Sequence, residues 1–203
     1  MTCRLVSIIG PPAVGKTTLA RYLARALPAG LIREDYTGNP FLADSFKGVR
    51  KARLAAQVYF LLMRAGQLDA RRLSKGLFVS DYGFCQDRIF ARCRLAGGEL
   101  DIYDRLAERI APMVCNPDVI IHLDASETTL LDRIARRGRT FEKSFNRRFL
   151  AGIRREHSCA VESAACRVIS VNCDRQNLLD PKVRRQLAGS VGVLLGPPFR
   201  PAR

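Results

Sequence analysis

The chain has 203 residues, 47% of them hydrophobic, and a formal net charge of +15 at pH 7. That length suits one α/β domain with a sizeable core, and the hydrophobic fraction is ordinary for a globular protein. No apolar run approaches the roughly 20 residues that a membrane-crossing helix needs, which argues against a membrane-spanning protein.

The start of the chain and its seven cysteines both point to the cytoplasm. The first apolar run begins almost at once, which is unlike a secretory signal. The cysteines form no C-x-x-C pair and show no metal-site spacing. We therefore expect them to act as small buried apolar residues in a reducing compartment.

The excess of basic residues raises the question of a nucleic-acid partner, because a basic surface attracts polyanions. The arginines are spread along the chain, however, and stacking aromatic residues do not interleave them. We expect the positive charge to serve nucleotide phosphates, and we expect neither nucleic acid nor a membrane as a partner.

Short apolar runs alternate with amphipathic patterns along the chain. Buried strands are predicted where a run is too short for a helix, at residues 5–9, 31–34, 77–80, 119–123 and 168–171. Helices are predicted over residues 17–27, 50–67, 99–113, 128–137, 145–161 and 177–188. This alternation is typical of an α/β fold, in which a parallel sheet is covered by helices on both faces. We expect one domain over residues 1–188 and a flexible tail over residues 189–203.

The first predicted strand runs into the stretch IGPPAVGKTT, residues 9–18. Glycine and proline also make ordinary turns, so a plain strand-to-helix connection is one interpretation. The other is a phosphate-binding loop, because the stretch fits G-x-x-x-x-G-K-[ST] between a predicted strand and a predicted helix. Backbone N–H groups of such a loop surround a triphosphate. The predicted ATP-binding residues are Gly10, Ala13, Val14, Gly15, Lys16, Thr17 and Thr18.

Ligands of a parallel sheet bind beyond the carboxyl ends of its strands, where this sequence places several polar residues. Lys16 would contact the outer phosphates of ATP, and the Thr17 hydroxyl would bind Mg²⁺. Asp81 follows the third strand and is placed to hold the same ion, directly or through a water. An N-cap or turn role is the alternative for Asp81.

The segment over residues 34–64, EDYTGNPFLADSFKGVRKARLAAQVYFLLMR, narrows the function. Its strand-end Glu34, the Asn-Pro-Phe-Leu run at residues 39–42, and the helical Gln57 and Arg64 resemble the deoxynucleoside kinase family. The stretch RIARRGRTFE, residues 133–142, resembles that family's arginine-rich lid, and the FLAGIRREH that follows resembles the next helix.

Two smaller elements, Ile-Phe-Ala at residues 89–91 and Gly-Gly-Glu-Leu at residues 97–100, also fit the family. The resemblance therefore covers most of residues 4–175. It implies a P-loop kinase fold, with a five-stranded parallel sheet, helices on both faces and an Arg-rich lid.

Roles follow from the chemistry of phosphoryl transfer, in which an enzyme mostly positions groups and stabilises charge. Glu34 would accept the proton of the sugar 5′-hydroxyl, with a surface carboxylate as the alternative. Arg133, Arg137 and Arg139 would act on the phosphates, although a solvated basic helix end would explain one or two of them. Gln57 would face a base edge or serve as a buried structural amide. The predicted catalytic residues are Lys16, Glu34, Arg133, Arg137 and Arg139.

The chain departs from the family after the third strand, where SDYGFCQDR replaces an acidic residue followed by Arg-Ser. Asp81 stands for the acid, but Tyr82 occupies the position of the arginine. We expect Arg88 to supply the missing guanidinium and Asp87 to support Gln57.

A second departure concerns the sugar. Phe46 stands where family members often have a tyrosine whose hydroxyl meets the 3′-oxygen. The ring remains, so ribose should fit poorly, and the 3′-oxygen would rely on Glu142, the acid on the lid side. The predicted substrate-binding residues are Glu34, Phe46, Gln57, Arg64, Asp87, Arg88 and Glu142.

The function expected from these features is transfer of a phosphoryl group from ATP to a deoxynucleoside, giving ADP and a 5′-monophosphate. The resemblance also implies a homodimer, formed through helices near residues 50–67 and 99–113. One rival is a thymidylate-type nucleoside monophosphate kinase, but its acceptor would need extra cations near Glu34, where the segment offers mainly Arg33. Another is a P-loop module that uses the nucleotide as a switch and binds nucleic acid.

Overall fold

The computed structural model of the protein describes residues 3–73 and 75–197 and contains a five-stranded sheet with the order β2-β3-β1-β4-β5. Every pair of neighbouring strands is parallel. The strands are Cys3–Ile9 (β1), Gly30–Ile32 (β2), Gly76–Ser80 (β3), Val119–Asp124 (β4) and Arg167–Asn172 (β5). The five predicted strands and the parallel sheet are confirmed.

Helices follow or separate the strands. They are Lys16–Ala26 (α1), Leu42–Phe46 (α2), Arg50–Gln67 (α3), Cys85–Arg94 (α4), Gly98–Ile110 (α5), Glu127–Arg137 (α6), Arg147–Glu162 (α7) and Pro181–Leu195 (α8). Two 3₁₀ helices cover Ala111–Met113 and Thr140–Ser144. None of the helices in residues 3–73 and 75–197 is long and apolar enough to cross a membrane.

Two hydrophobic cores lie on the two faces of the sheet. Successive side chains of a strand point to opposite faces, so Leu5 joins one core while Val6 and Ile8 join the other. The Leu5 core is completed by residues of α3, α4 and α5, and the second core by residues of α1, α6, α7 and α8. The expectation of helices on both faces is confirmed.

Strand β2 ends earlier than predicted, and the reason bears on function. Its last residue, Ile32, accepts a hydrogen bond from the backbone N–H of Asp81 at 3.1 Å. Two residues later the backbone N–H of Glu34 donates to a side chain and not to a strand, since its acceptor is Oδ1 of Asp81 at 2.8 Å. The chain therefore leaves the sheet after Ile32, and Glu34 belongs to a loop at the carboxyl edge of the sheet.

The prediction of a flexible tail from residue 189 is wrong for residues 189–195. Helix α8 starts at Pro181, after Asp180 accepts a hydrogen bond from the backbone N–H of Lys182 at 2.8 Å, and it continues to Leu195. Val191 and Leu195 are buried in the second core, which holds the last turns in place. Residues 198–203 of the predicted tail lie outside the described residues.

Candidate active site

A cavity of about 420 Å³ lies at the carboxyl edge of the sheet. It is bordered by the loop after β1, the ends of β2 and β3, helices α2, α3 and α4, and the segment after α6. Most of the predicted site residues line it: Ala13, Gly15, Lys16, Thr17, Thr18, Glu34, Phe46, Gln57, Arg64, Asp81, Asp87, Arg133, Arg137, Arg139 and Glu142. The predicted residues that do not line it are Gly10, Val14 and Arg88.

The loop after β1 depends on glycine at its first position. Gly10 has a φ of +145°, and a Cβ added there would lie 2.2 Å from the carbonyl oxygen of Leu123 in β4. The side chain of Val14 is fully buried, so this residue offers the cavity only its backbone. Lys16 Nζ crosses the loop and donates to the carbonyl oxygens of Gly10 and Pro11, each at 2.8 Å.

Helix α1 begins directly after Gly15 with no side-chain cap and no acidic residue in its first turn. Its first N–H groups and the positive end of its dipole therefore remain available to an anion. Burial lowers the pKa of Lys16 to about 8, although the carboxylates of Glu34 and Asp81 oppose this shift. The loop can cradle phosphate and places one cation there that titrates close to neutral pH.

Asp81 links the phosphate loop to the loop that carries Glu34. Its Oδ2 accepts a hydrogen bond from Thr17 Oγ1 at 2.5 Å, while its Oδ1 accepts from the Glu34 backbone N–H. Helix α4 has Phe84 as its N-cap residue, so the alternative role of Asp81 as the cap of this helix is wrong. A hydroxyl and a carboxylate oxygen thus meet at the mouth of the phosphate loop.

Arg64 lies between two carboxylates, and we call Arg64, Glu34 and Asp87 the Arg64 cluster. Nη2 of Arg64 donates to Glu34 Oε1, and Nη1 donates to Asp87 Oδ1. The guanidinium also lies 5.2 Å from the ring centroids of both Phe60 and Tyr82. One buried arginine therefore joins the loop after β2 to helix α4.

The two carboxylates of the Arg64 cluster have opposite pKa shifts. Burial alone would raise the pKa of Glu34, but Arg64, helped by Lys16, holds it below its usual value. Burial raises the pKa of Asp87 to about 7 despite Arg64, and the charge of Glu34 adds to that shift. Glu34 is thus ionised at neutral pH, whereas the carboxylate of Asp87 takes up a proton at a pH of about 7.

Asp87 and its neighbour Gln86 leave buried oxygen atoms free beside the cavity. Asp87 Oδ2 and Gln86 Oε1 have no hydrogen-bond partner among the described residues. Gln57 lines the same part of the cavity from α3. The expected support of Gln57 by Asp87 is not found, because the partner of Asp87 is Arg64.

The prediction that Arg88 lines the site is wrong. Consecutive residues of a helix point about 100° apart, so Asp87 faces the cavity while Arg88 turns toward α5. There its Nε lies 3.0 Å from Oδ1 of Asp104. Tyr82 is buried in the position of the missing arginine and donates its hydroxyl to Gln67 Oε1 at 2.5 Å. The guanidinium beside Glu34 is that of Arg64.

The segment after α6 closes the cavity with arginines. Helix α6 ends at Arg137 with Gly138 as its C-cap, at a φ of +71°, and the chain then turns into the second 3₁₀ helix. Arg137 donates to both oxygens of the buried Glu142, at 3.0 and 2.5 Å, and Arg139 donates to one of them at 3.4 Å. Arg133 instead donates to the backbone carbonyl oxygen of Val14 at 3.1 Å.

Residues 6–193 match the sequence profile of the family described as "Deoxynucleoside kinase". The chain belongs to the deoxynucleoside kinase family. This kinase is 30% identical over 165 residues to the deoxyguanosine kinase of Bacillus subtilis (strain 168), covering 79% of this chain and 80% of that protein. It is 27% identical over 187 residues to the deoxyadenosine kinase of Dictyostelium discoideum, covering 90% of this chain and 76% of that protein.

Solved structures show the same fold. The kinase matches a structure of deoxyadenosine kinase from M. mycoides with the products dCMP and a flexible dCDP, with a TM-score of 0.80 at 19% identity. That match covers 95% of this chain and 100% of the other. A structure of the same enzyme with bound dATP gives a TM-score of 0.77 at 20% identity, with the same coverage. The predicted family and P-loop kinase fold are confirmed.

The cavity of the kinase also contains aromatic residues that were not predicted from the sequence, among them Phe141 and Phe145. We call Phe46, Phe141 and Phe145 the aromatic wall, because the Phe46 ring lies 5.7 Å from Phe141 and 5.0 Å from Phe145, centroid to centroid. Tyr36 extends it, with its ring 5.8 Å from Phe141 and the Arg139 guanidinium 3.8 Å above it. The resemblance pointed only to Phe46, since an isolated phenylalanine carries no motif of its own.

Proposed function

We propose that this kinase transfers the terminal phosphoryl group of ATP to the 5′-hydroxyl of a deoxynucleoside. The observation that carries the proposal is the shared cavity: a phosphate loop lies on one side, and on the other lies a carboxylate that Arg64 keeps ionised. An oxygen–phosphorus bond forms at the 5′-oxygen, the bond to the leaving ADP oxygen breaks, and the hydroxyl proton passes to Glu34.

Glu34 is the proposed general base. Its carboxylate is oriented by Arg64, and its backbone is fixed by Asp81, so the side chain is held from two directions. A base with a lowered pKa is fully ionised at neutral pH and ready to accept a hydrogen bond from the 5′-hydroxyl. Tyr82 stands where the family has an arginine and supplies no cation to the general base Glu34. Arg64 supplies that cation instead.

The phosphates of ATP are proposed to bind the loop N–H groups, Lys16 and the lid arginines Arg133, Arg137 and Arg139. Thr17 and Asp81 would hold Mg²⁺, because hydroxyl and carboxylate oxygens are ligands that this ion prefers, and both atoms meet at the loop. The ion would neutralise charge on the outer phosphates. Residues 3–73 and 75–197 contain no group of three acidic, histidine or cysteine side chains that could hold a metal, so phosphates and water would complete its ligands.

The base of the nucleoside is proposed to lie against Gln57 and Asp87, with the sugar between Phe46 and Glu142. The amide of Gln57 offers a donor and an acceptor, and Asp87 adds a free oxygen whose protonation changes near neutral pH. Relatives named for deoxyguanosine and deoxyadenosine support a purine as the preferred base.

A homodimer through α3 and α5 remains a proposal. Leu62 of α3 and Ile102 of α5 have exposed fractions of 53% and 58%, and the two helices pack side by side. A second copy would cover this apolar surface. The cytoplasm remains the proposed location, supported by the seven cysteines, all of which are free thiols.

The decisive test is product analysis with ATP and a panel of four deoxynucleosides and their monophosphates. We expect 5′-monophosphates, with a purine used best, and a kcat about 10²–10⁴-fold lower in Glu34→Gln. Asp35→Asn is the matched control, since this neighbouring carboxylate is exposed and lies outside the cavity lining. ATP hydrolysis without any acceptor would favour the nucleotide switch, and use of monophosphates alone would favour the thymidylate-type rival.

A further inference from the structure

Arg94 is the last residue of α4 and lies outside the cavity lining, behind Phe46. Its guanidinium carbon is 3.5 Å from the centroid of the Phe46 ring, which places the cation on the face of the ring. Nη2 of Arg94 donates to the backbone carbonyl oxygen of Ser45 at 2.8 Å and to the Ser45 hydroxyl at 3.1 Å. One side chain therefore contacts both the ring and the backbone of the residue before it.

The Arg94 cation is held without a carboxylate. Every ion pair within the described residues involves other side chains, and the buried Nη1 of Arg94 has no hydrogen-bond partner there. Burial, with a smaller effect of Arg53, lowers the pKa of Arg94 to about 10, so the group is still charged at neutral pH. The face of Phe46 and the oxygens of Ser45 are what stabilise this cation.

Phe46 needs such support because its own helix is short. Helix α2 has five residues and no side-chain cap, so its position is set by contacts with its surroundings. Phe141 and Phe145 contact the Phe46 ring, and Arg94 covers a face of it. A basic group at the carbonyl end of α2 also complements the helix dipole.

We infer that Arg94 is a positioning residue that fixes the ring of Phe46 in the wall of the cavity and thereby sets discrimination between deoxyribose and ribose. The inference rests on the proposed function, in which Phe46 lies against the sugar. A ring held on its face by a cation and packed against two other rings has little freedom to move aside for a 2′-hydroxyl. Loss of the Arg94 cation would let the Phe46 ring move away from the sugar.

The test compares Arg94→Met, Arg94→Lys and the control Arg92→Met. Arg92 lies on the same helix with a half-exposed side chain, contacts Glu156 at 3.4 Å and lies outside the lining of the acceptor cavity. For each protein, kcat/KM is measured for a purine deoxynucleoside and its matching ribonucleoside, together with the KM for ATP and the melting temperature.

We expect Arg94→Met to lower the preference for the deoxynucleoside about threefold to thirtyfold, mainly through the nucleoside KM, with the KM for ATP unchanged. Arg94→Lys should recover most of the preference, because an ammonium can still lie on the ring, and Arg92→Met should match the wild type. A purely structural role would instead lower the melting temperature and change both substrates alike.

Wild-type preference in Arg94→Met, or equal losses in Arg94→Met and Arg94→Lys, would overturn the inference while leaving the proposed function intact. If Arg94→Met does not fold, Arg94→Lys decides: a preference near the wild-type value supports the inference, and a large loss overturns it. A wild-type protein that phosphorylates no deoxynucleoside overturns the proposed function and this inference with it.

Discussion

The phosphate loop and the Arg64 cluster line one cavity, but they are built from different parts of the chain. The loop consists of consecutive residues whose backbone turns at Gly10 and Gly15, and only a few of its side chains reach the cavity. The cluster joins three side chains from separate segments, with Arg64 lying 30 residues from Glu34 and 23 from Asp87. One site is encoded locally, and the other exists only once the tertiary fold has formed.

The phosphate loop and the Arg64 cluster also differ in how much their charged side chains contribute to the stability of the fold. Removing Lys16 takes away a cation that burial already disfavours, so the fold should tolerate the loss. Removing Arg64 takes the cation from the buried Asp87 and the partly exposed Glu34, and a buried charge without its partner is costly. Substitution of Lys16 should therefore change activity alone, whereas substitutions in the cluster should change both stability and activity.

Lys16→Ala is expected to give the largest effect. It should lower kcat/KM for ATP on the order of 10³-fold, because the transferred phosphoryl group loses its nearest cation. The melting temperature should stay within a few degrees of wild type. Lys51→Ala, at an exposed position of α3, serves as the control. Near-normal turnover of Lys16→Ala at saturating ATP would show that this loop does not bind the phosphates.

Arg64→Met is expected to lower the free energy of unfolding by about 3–5 kcal/mol, because Glu34 and Asp87 lose their shared cation. Urea denaturation measures this loss, with Arg50→Met at the exposed start of α3 as the control. Adding Asp87→Asn to Arg64→Met should restore part of the stability, because an amide replaces a buried carboxyl group that has lost its partner. A single variant as stable as wild type would mean that the cluster is not a structural link.

Removing the charges of two lid arginines tests whether these residues act on the phosphates of ATP together with the phosphate loop. The double change of Arg137 and Arg139 to glutamine should slow phosphoryl transfer about 10²-fold. Nucleoside affinity of the free enzyme should fall less than the transfer rate, through the loss of both partners of Glu142. Arg136→Gln is the control, since its side chain is exposed and donates to the carbonyl oxygen of Asp132 in its own helix. Rapid-quench kinetics and nucleoside titration separate the two effects. Unchanged transfer together with weakened polynucleotide binding would favour a nucleic-acid role.

The lowered pKa of Lys16 predicts a pH dependence on the phosphate side. A cation with a pKa of about 8 loses its proton above that pH, and ATP then meets a neutral amine. The Kd for ATP should therefore be flat below pH 7.5 and rise about tenfold per pH unit above pH 8. Lys16→Arg keeps its charge in this range, so its Kd should stay flat up to pH 9.5. Calorimetric titration measures both proteins, and parallel curves would exclude Lys16 as the titrating group.

The smallest effect is expected at the sugar. Phe46→Tyr adds a hydroxyl that can reach the 3′-oxygen, and one neutral hydrogen bond contributes about 0.5–1.5 kcal/mol, or roughly threefold to tenfold in kcat/KM. A 2′,3′-dideoxynucleoside should therefore be penalised more by Phe46→Tyr than by the wild type. The measurement is the deoxy-to-dideoxy ratio of kcat/KM in both proteins. An unchanged ratio would place Phe46 away from the sugar.

The phosphate loop, the strands and the alternation of elements could be predicted from sequence because each depends on neighbouring residues. Helix α4 was missed because its inner face buries the polar Gln86 and Asp87, which breaks the apolar period of an ordinary helix. The assignment of Arg88 failed for the same reason, since without the helix its direction could not be deduced. The partner of Glu34 was not predicted because nothing near it in sequence identifies Arg64.

The end of α8 was misread for a different reason. Glycine at residue 189 and the proline-rich end suggested a loose tail, whereas the buried side chains of Val191 and Leu195 continue the apolar face of the helix. The cap at Asp180 and the proline after it were readable in the sequence, and they would have moved the predicted start from residue 177 to Pro181.

Asp81 has a consequence for how substrate preference can be redesigned. Because one carboxylate binds both the Thr17 hydroxyl and the Glu34 backbone, the spacing between the phosphate loop and the backbone of Glu34 does not depend on Gln57 or Gln86. Exchanges at Gln57 or Gln86 can then alter the choice of base without moving the reacting atoms. A single added methylene, as in Asp81→Glu, should have the opposite effect. It would change the distance between the phosphate loop and Glu34, so it should slow the reaction of every nucleoside and leave the order of preference among the bases unchanged.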